Sequence, residues 1–173
     1  MTEMVPFNST QQSTDRTAMV EVASGRAAQE VQGQIIMAKK FPRDIFLSEK
    51  RILEACSRKG LAELAFYSYP RGGKQVCGPS IRMAEMLAQN WGNMDSGVIE
   101  LEQRDGESTV MAYAWDLETN TRDTKIFTVK HEYKAKEQIK KLTDPRDIYE
   151  YVANQGARRK RACILSIIPG DDG

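Results

Sequence analysis

Two short turn sequences, Asp105-Gly106-Glu107-Ser108 and Glu118-Thr119-Asn120-Thr121, divide the middle third of the chain into three runs of strand-forming residues. The runs are Val98 to Arg104, Thr109 to Leu117 and Thr124 to Lys130. Turns this short can join only neighbouring antiparallel strands, so the segment predicts a three-stranded meander. Such a sheet must bury one face against another layer, and the helices have to come from the flanking sequence.

The flanks supply them. Ala27, Val31, Ile35 and Ala38 are spaced for an amphipathic helix from Arg26 to Lys40, which Phe41-Pro42 should end. A second helix is expected from a cap at Ser48 to Gly60, with Ile52, Leu53 and Cys56 on its inner face. Leu61 to Tyr69 then turns through Pro70-Arg71-Gly72-Gly73-Lys74 into Gln75-Val76-Cys77, a hairpin signal. Pro79 suits the first turn of a helix from Ile81 to Asn90 that faces Ile81, Ala84, Leu87 and Ala88 inward, and Trp91-Gly92-Asn93 closes it. Glu132 to Leu142 is polar and Lys-rich, read as a loop or short helix, and Asp144-Pro145 starts a last helix that packs Ile148, Val152, Cys163, Ile164 and Ile167 on the sheet. Residues 1–24, rich in Thr, Ser, Gln and Asn, read as a flexible arm, and residues 25–173 as one α+β domain: an antiparallel sheet, hairpin plus meander, backed by helices.

At 173 residues the chain suffices for one real core. It has no apolar run near the ~18 residues of a membrane span and no basic-then-apolar leader, so a cytoplasmic protein without membrane contact is expected. Cys56, Cys77 and Cys163 read as reduced, mostly buried thiols. With His131 the only histidine and no Cys-x-x-Cys pair, neither a zinc site nor a Cys/His or Ser/His catalytic pair has support, and His131 reads as a strand-end residue.

Near the C-terminus Arg158-Arg159-Lys160-Arg161 runs directly into the apolar Ala162 to Ile168. On a helix, four successive positions sweep about 300°, so at least one cation falls on the packed face and needs an anion there. Arg159, on the side of Val152 and Cys163, is the expected one, held by a carboxylate of the fold or of a neighbouring subunit. Charge is also uneven along the chain: Lys and Arg outnumber Asp and Glu two to one from Arg122 to Arg161, whereas Asp95 to Glu118 is strongly acidic. A chain polarised this way can present a basic track to a polyanion while its acidic side meets the basic side of another copy.

The hairpin tip adds a second cationic point. Arg71 and Lys74 stand beside Tyr67 and Tyr69, and cations interleaved with rings suit single-stranded nucleic acid, whose bases stack while its phosphates are neutralised. The plainer alternative for Tyr67 is packing on a helix. Gly72-Gly73-Lys74 lacks the spacing of a phosphate-binding loop. The helix start at Gly78-Pro79-Ser80, with Arg82 in its first turn, offers free amides to an anion. Asp95, Glu100, Glu102 and Asp116 are the residues from which a metal-dependent nuclease centre would be assembled, against the commoner reading of a solvated sheet face. Trp115 is expected in the core with Tyr113 and Leu117, and Trp91 as the exposed ring.

The order of these motifs resembles the phage single-strand annealing recombinases of the RecT and Red-beta type. Tyr67-Ser68-Tyr69-Pro70 in a hairpin, Val76-Cys77-Gly78-Pro79-Ser80-Ile81-Arg82 opening a helix, a Gly92-Asn93 exit, Ala114-Trp115-Asp116-Leu117 in a meander and a final basic-then-apolar helix follow one another over residues 26 to 170. The resemblance implies an antiparallel sheet backed by helices, subunits assembled into rings or helical filaments, and DNA in a basic groove, annealed without ATP or another cofactor. It implies a nucleic-acid site made of Tyr69, Arg71, Lys74, Arg82, Arg158, Arg159, Lys160 and Arg161. It also implies a partner exonuclease or single-strand-binding protein, met through a region beyond the last helix, where this sequence has Asp171-Asp172-Gly173.

Overall fold

The computed structural model describes residues 9–135 and 138–170. Two compact units meet in sequence at Phe41 and Pro42. The first holds one helix, α1 (Ser9–Lys40), which stops where Phe41-Pro42 predicts. It starts well before Arg26, so residues 9–24 are helical rather than an arm, and residues 1–8 of that expected arm lie outside the described residues.

The second unit is α+β. It runs α2 (Ile45–Cys56), α3 (Lys59–Ala62), β1 (Phe66–Arg71), β2 (Lys74–Pro79), α4 (Ile81–Trp91), β3 (Met94–Arg104), β4 (Glu107–Asp116), β5 (Thr121–Lys130), β6 (Glu132–Ala135), β7 (Gln138–Lys141) and α5 (Pro145–Ile167). β1 and β2 form the expected hairpin, β3-β4-β5 the expected antiparallel meander, and β6 pairs with β7. That last hairpin replaces the loop or helix read from Glu132 to Leu142; Lys136 and Glu137 between its strands lie outside the described residues.

Turn chemistry fixes the strand ends. Gly72 and Gly73 both take positive φ, 57° and 76°, which a two-residue hairpin turn requires and which glycine adopts without a Cβ penalty. Helix ends follow their caps. Asp44 accepts from Leu47 N and opens α2, displacing the cap expected at Ser48, whose buried Oγ instead donates to Trp91 O. Leu53 of α2 is exposed, not inward. Pro79 ends β2, and Ser80 caps α4 through Met83 N.

The core lies between the meander and the helices α4 and α5. Ala84, Ala114, Cys163 and Ile164 form one cluster; Val110, Val129 and Val152 form the other, with Ile148 and Phe127 packed on it. On β4 the buried positions are Ser108, Val110, Ala112, Ala114 and Asp116, so Tyr113 and Trp115 belong to the opposite, half-exposed face. That reverses the expectation for the aromatic pair, and the reason is packing distance. Small residues let α5 approach closely: a Cβ on Gly156 would stand 2.6 Å from Val98 Cγ1. Two large rings under the helix would hold it off.

Candidate nucleic-acid interface

Alternate residues of a strand share a face about 6.6 Å apart. On β1 these are Tyr67, Tyr69 and Arg71, and their antiparallel partners Gly78, Val76 and Lys74 stand on the same face of the hairpin. The Tyr67 and Tyr69 rings stack with centroids 5.9 Å apart. Gly78 makes room for this: a Cβ there would lie 2.6 Å from the Tyr67 hydroxyl oxygen. The ring of Tyr67 therefore lies down along the ladder. It also meets α5, where the Arg161 guanidinium carbon sits 4.6 Å from the ring centroid.

The result is a strip that runs from Arg71 and Lys74 at the tip, through Tyr69 and Tyr67, to Arg161 on the helix. Arg71, Lys74 and Tyr69 are exposed. Arg158, also exposed, is three residues before Arg161 and so its neighbour on the helix surface. The plainer alternative of packing on a helix holds for Tyr67, whose ring stacks on Tyr69 and meets Arg161 of α5, and so joins the two cationic segments. The signal that identifies it is Gly78 opposite it in the ladder, legible once the hairpin register is drawn.

The other cations of the run go elsewhere. Lys160 donates to Glu85 Oε1 at 3.1 Å, and Arg82 approaches Glu85 Oε2 at 3.9 Å, so one carboxylate of α4 sits between two expected site residues and offsets their charge. Arg159 is about 200° around the helix from Arg161. It lies on Phe127, guanidinium carbon 4.8 Å from the ring centroid, and donates to Gln155 Oε1 at 3.0 Å. The cation held by a carboxylate of the fold is thus Lys160, not Arg159, because Glu85 of α4 reaches Lys160 while Arg159 lies on Phe127 of β5. Arg159 does not reach the hairpin strip.

The carboxylates proposed for a metal centre are drawn to different places. Asp116 is on the covered face of β4 and takes two bonds from Arg43, at 2.8 and 2.6 Å, with both side chains buried. Arg43 also bonds Glu118 and lies 4.8 Å from the Trp91 ring, so Trp91 is covered rather than free. Burial alone would raise the Asp116 carboxyl pKa, but the bonds from Arg43 and from the amides of Glu118 and Thr119 outweigh it and hold it below the ordinary value. Asp95 faces the other way, 3.5 Å from the Tyr113 hydroxyl. Among the described residues no three His, Cys, Asp or Glu converge on a metal position.

His131 is buried with Nε2 2.8 Å from Ser108 Oγ, at the end of β5 as expected. Cys163 is buried against β4, and desolvation pushes its thiol pKa up. Cys77 is exposed on the face of the hairpin opposite the tyrosines, against the expectation of burial. No helix among the described residues is long and apolar enough to cross a membrane. Comparison of the chain with protein-family models, with curated proteins and with solved structures finds no match.

Proposed function

We propose that this protein binds single-stranded DNA and anneals complementary strands without ATP, as an oligomer, in phage-type homologous recombination within a bacterial host's cytoplasm. One observation carries the reading: the uninterrupted strip Arg71/Lys74, Tyr69, Tyr67, Arg161 on one face of a hairpin and the adjoining helix. Cations neutralise phosphates, which removes the repulsion between two strands, and rings hold bases by their faces without selecting sequence. Annealing needs no more chemistry than that. The motif order shared with the RecT and Red-beta type supports the same reading. Arg82 and Lys160 pair with Glu85, which offsets their charge, so in this reading they contribute less to affinity than the strip does.

The test is annealing of complementary oligonucleotides in the absence of ATP. The protein should accelerate it, and Arg71→Ala with Lys74→Ala should slow it about tenfold or more at moderate salt, since each cation removed leaves a phosphate unneutralised and the two effects compound. No acceleration by the unaltered protein overturns the reading, as does shortening of the strands when Mg²⁺ is supplied.

A further inference from the structure

Arg159 is half-buried, yet its partners, the Phe127 ring and the Gln155 carbonyl oxygen, are both neutral. Among the described residues no carboxylate lies within ion-pair distance of it. A guanidinium withdrawn from water without an anion is an incomplete arrangement. Arg159 lines a cleft of about 250 Å³ with Lys130, Tyr151, Gln155, Phe127 and Glu132. The cleft lies along β5, and β5 is an edge of the meander.

The opposite edge is β3, and the two edges are complementary. β3 carries Asp95, Glu100 and Glu102 against Arg104, which pairs with Glu102, and exposes Val98, Ile99 and Leu101; β5 carries Arg122, Lys125 and Lys130 against Asp123, which pairs with Lys125, and exposes Ile126, so Glu100 and Lys130 remain without a partner inside their own strands. Unpaired strand edges with apolar side chains are templates for another strand. Glu100 stands opposite Val110, and Val110 opposite Phe127, so these three share one level and one face of the sheet. That is the face on which α5 lies and Arg159 covers Phe127. A second copy that continues the sheet beyond β5 at the same level brings its own Glu100 beside Phe127, within reach of Arg159. Because β3 and β5 both run antiparallel to β4, the joint is a parallel pair. The register shift between Glu100 and Glu102 places an irregularity in β3 directly after Glu100, which bends the strand there.

We propose that a second copy of this chain docks its β3 edge on β5 and places Glu100 in the cleft against Arg159. This rests on the oligomeric reading above and names the surface it uses. A contact between two different edges is head-to-tail, so repetition closes a ring or extends a helical filament.

The experiment is sedimentation velocity of the full chain without nucleic acid, at low and high salt. The unaltered protein should associate, and salt should reverse it. Arg159→Glu and Glu100→Arg should each weaken association about tenfold or more, and the double exchange should restore it. Association unchanged in both single variants, no recovery in the double variant, or a monomer at all concentrations of the unaltered protein overturns the proposal. Loss of oligonucleotide binding in Arg159→Glu, with association intact in Glu100→Arg, also overturns it and assigns the cleft to nucleic acid. Glu100 is exposed, so Glu100→Arg tests the joint even if Arg159→Glu fails to fold. Oligonucleotide affinity read on the same samples separates failure of the joint from failure of the DNA-binding reading, because Glu100 is not part of the hairpin strip.

Discussion

Arg43 ties the segment before α2 to the end of β4. Its guanidinium takes both oxygens of Asp116, its backbone N–H bonds Glu118 Oε1 at 2.8 Å, and Asn93 adds a bond to the same carboxylate oxygen at 2.5 Å. The arrangement is buried, so removing one partner leaves the other charged and unpaired. Arg43→Ala should lower unfolding free energy by about 3–5 kcal/mol, measured by urea titration, whereas a surface pair such as Arg26 with Glu30 should contribute under about 1 kcal/mol. None of this was legible from the sequence. Asp116 reads there as one more acid on an alternating strand, and only the fold shows that its parity places it with Ala112 and Ala114 on the covered side. The Arg158 to Arg161 run was legible as a set with divided duties. Which residue takes which duty depends on Glu85 and Phe127, from elements remote in sequence.

At the scale of elements, turns and caps were the readable signals. Gly72-Gly73 and Gly106 set the hairpin and the first meander turn because their positive φ values admit few other residues. Segments without such punctuation were misread: polar residues 9–24 are helical, and Glu132 to Lys141 pairs as a hairpin with little apolar content to announce it. The face that β4 buries was set by helix approach rather than by hydrophobicity. Gly156 is the position that decides it. Alanine there gains about 1 kcal/mol in helix propensity but drives a methyl into Val98, a stiff β-branched side chain, at a cost of about 1–3 kcal/mol. Gly156→Ala should therefore lower the melting temperature by a few degrees, and Val98→Ala in the same chain should recover part of the loss. Thermal unfolding of the single and double variants checks the coupling.

For the whole molecule, a sheet backed on one face by α4 and α5 leaves the hairpin to extend the helix surface as a strip of rings and cations. The charge imbalance seen along the sequence becomes an arrangement in space in two respects. Arg161 joins the hairpin cations across Tyr67, and the acidic β3 and basic β5 stand at opposite edges of one sheet. The proposed annealing function needs both a surface for the strand and a way to repeat that surface. The salt dependence of binding tests the proposed strand surface. Affinity for a single-stranded oligonucleotide should fall linearly on logarithmic axes with salt, and replacing Arg71, Lys74 and Arg161 together by Ala should flatten the slope by about 0.7 for each phosphate that is no longer neutralised. A slope unchanged in that triple variant would contradict DNA binding through the strip.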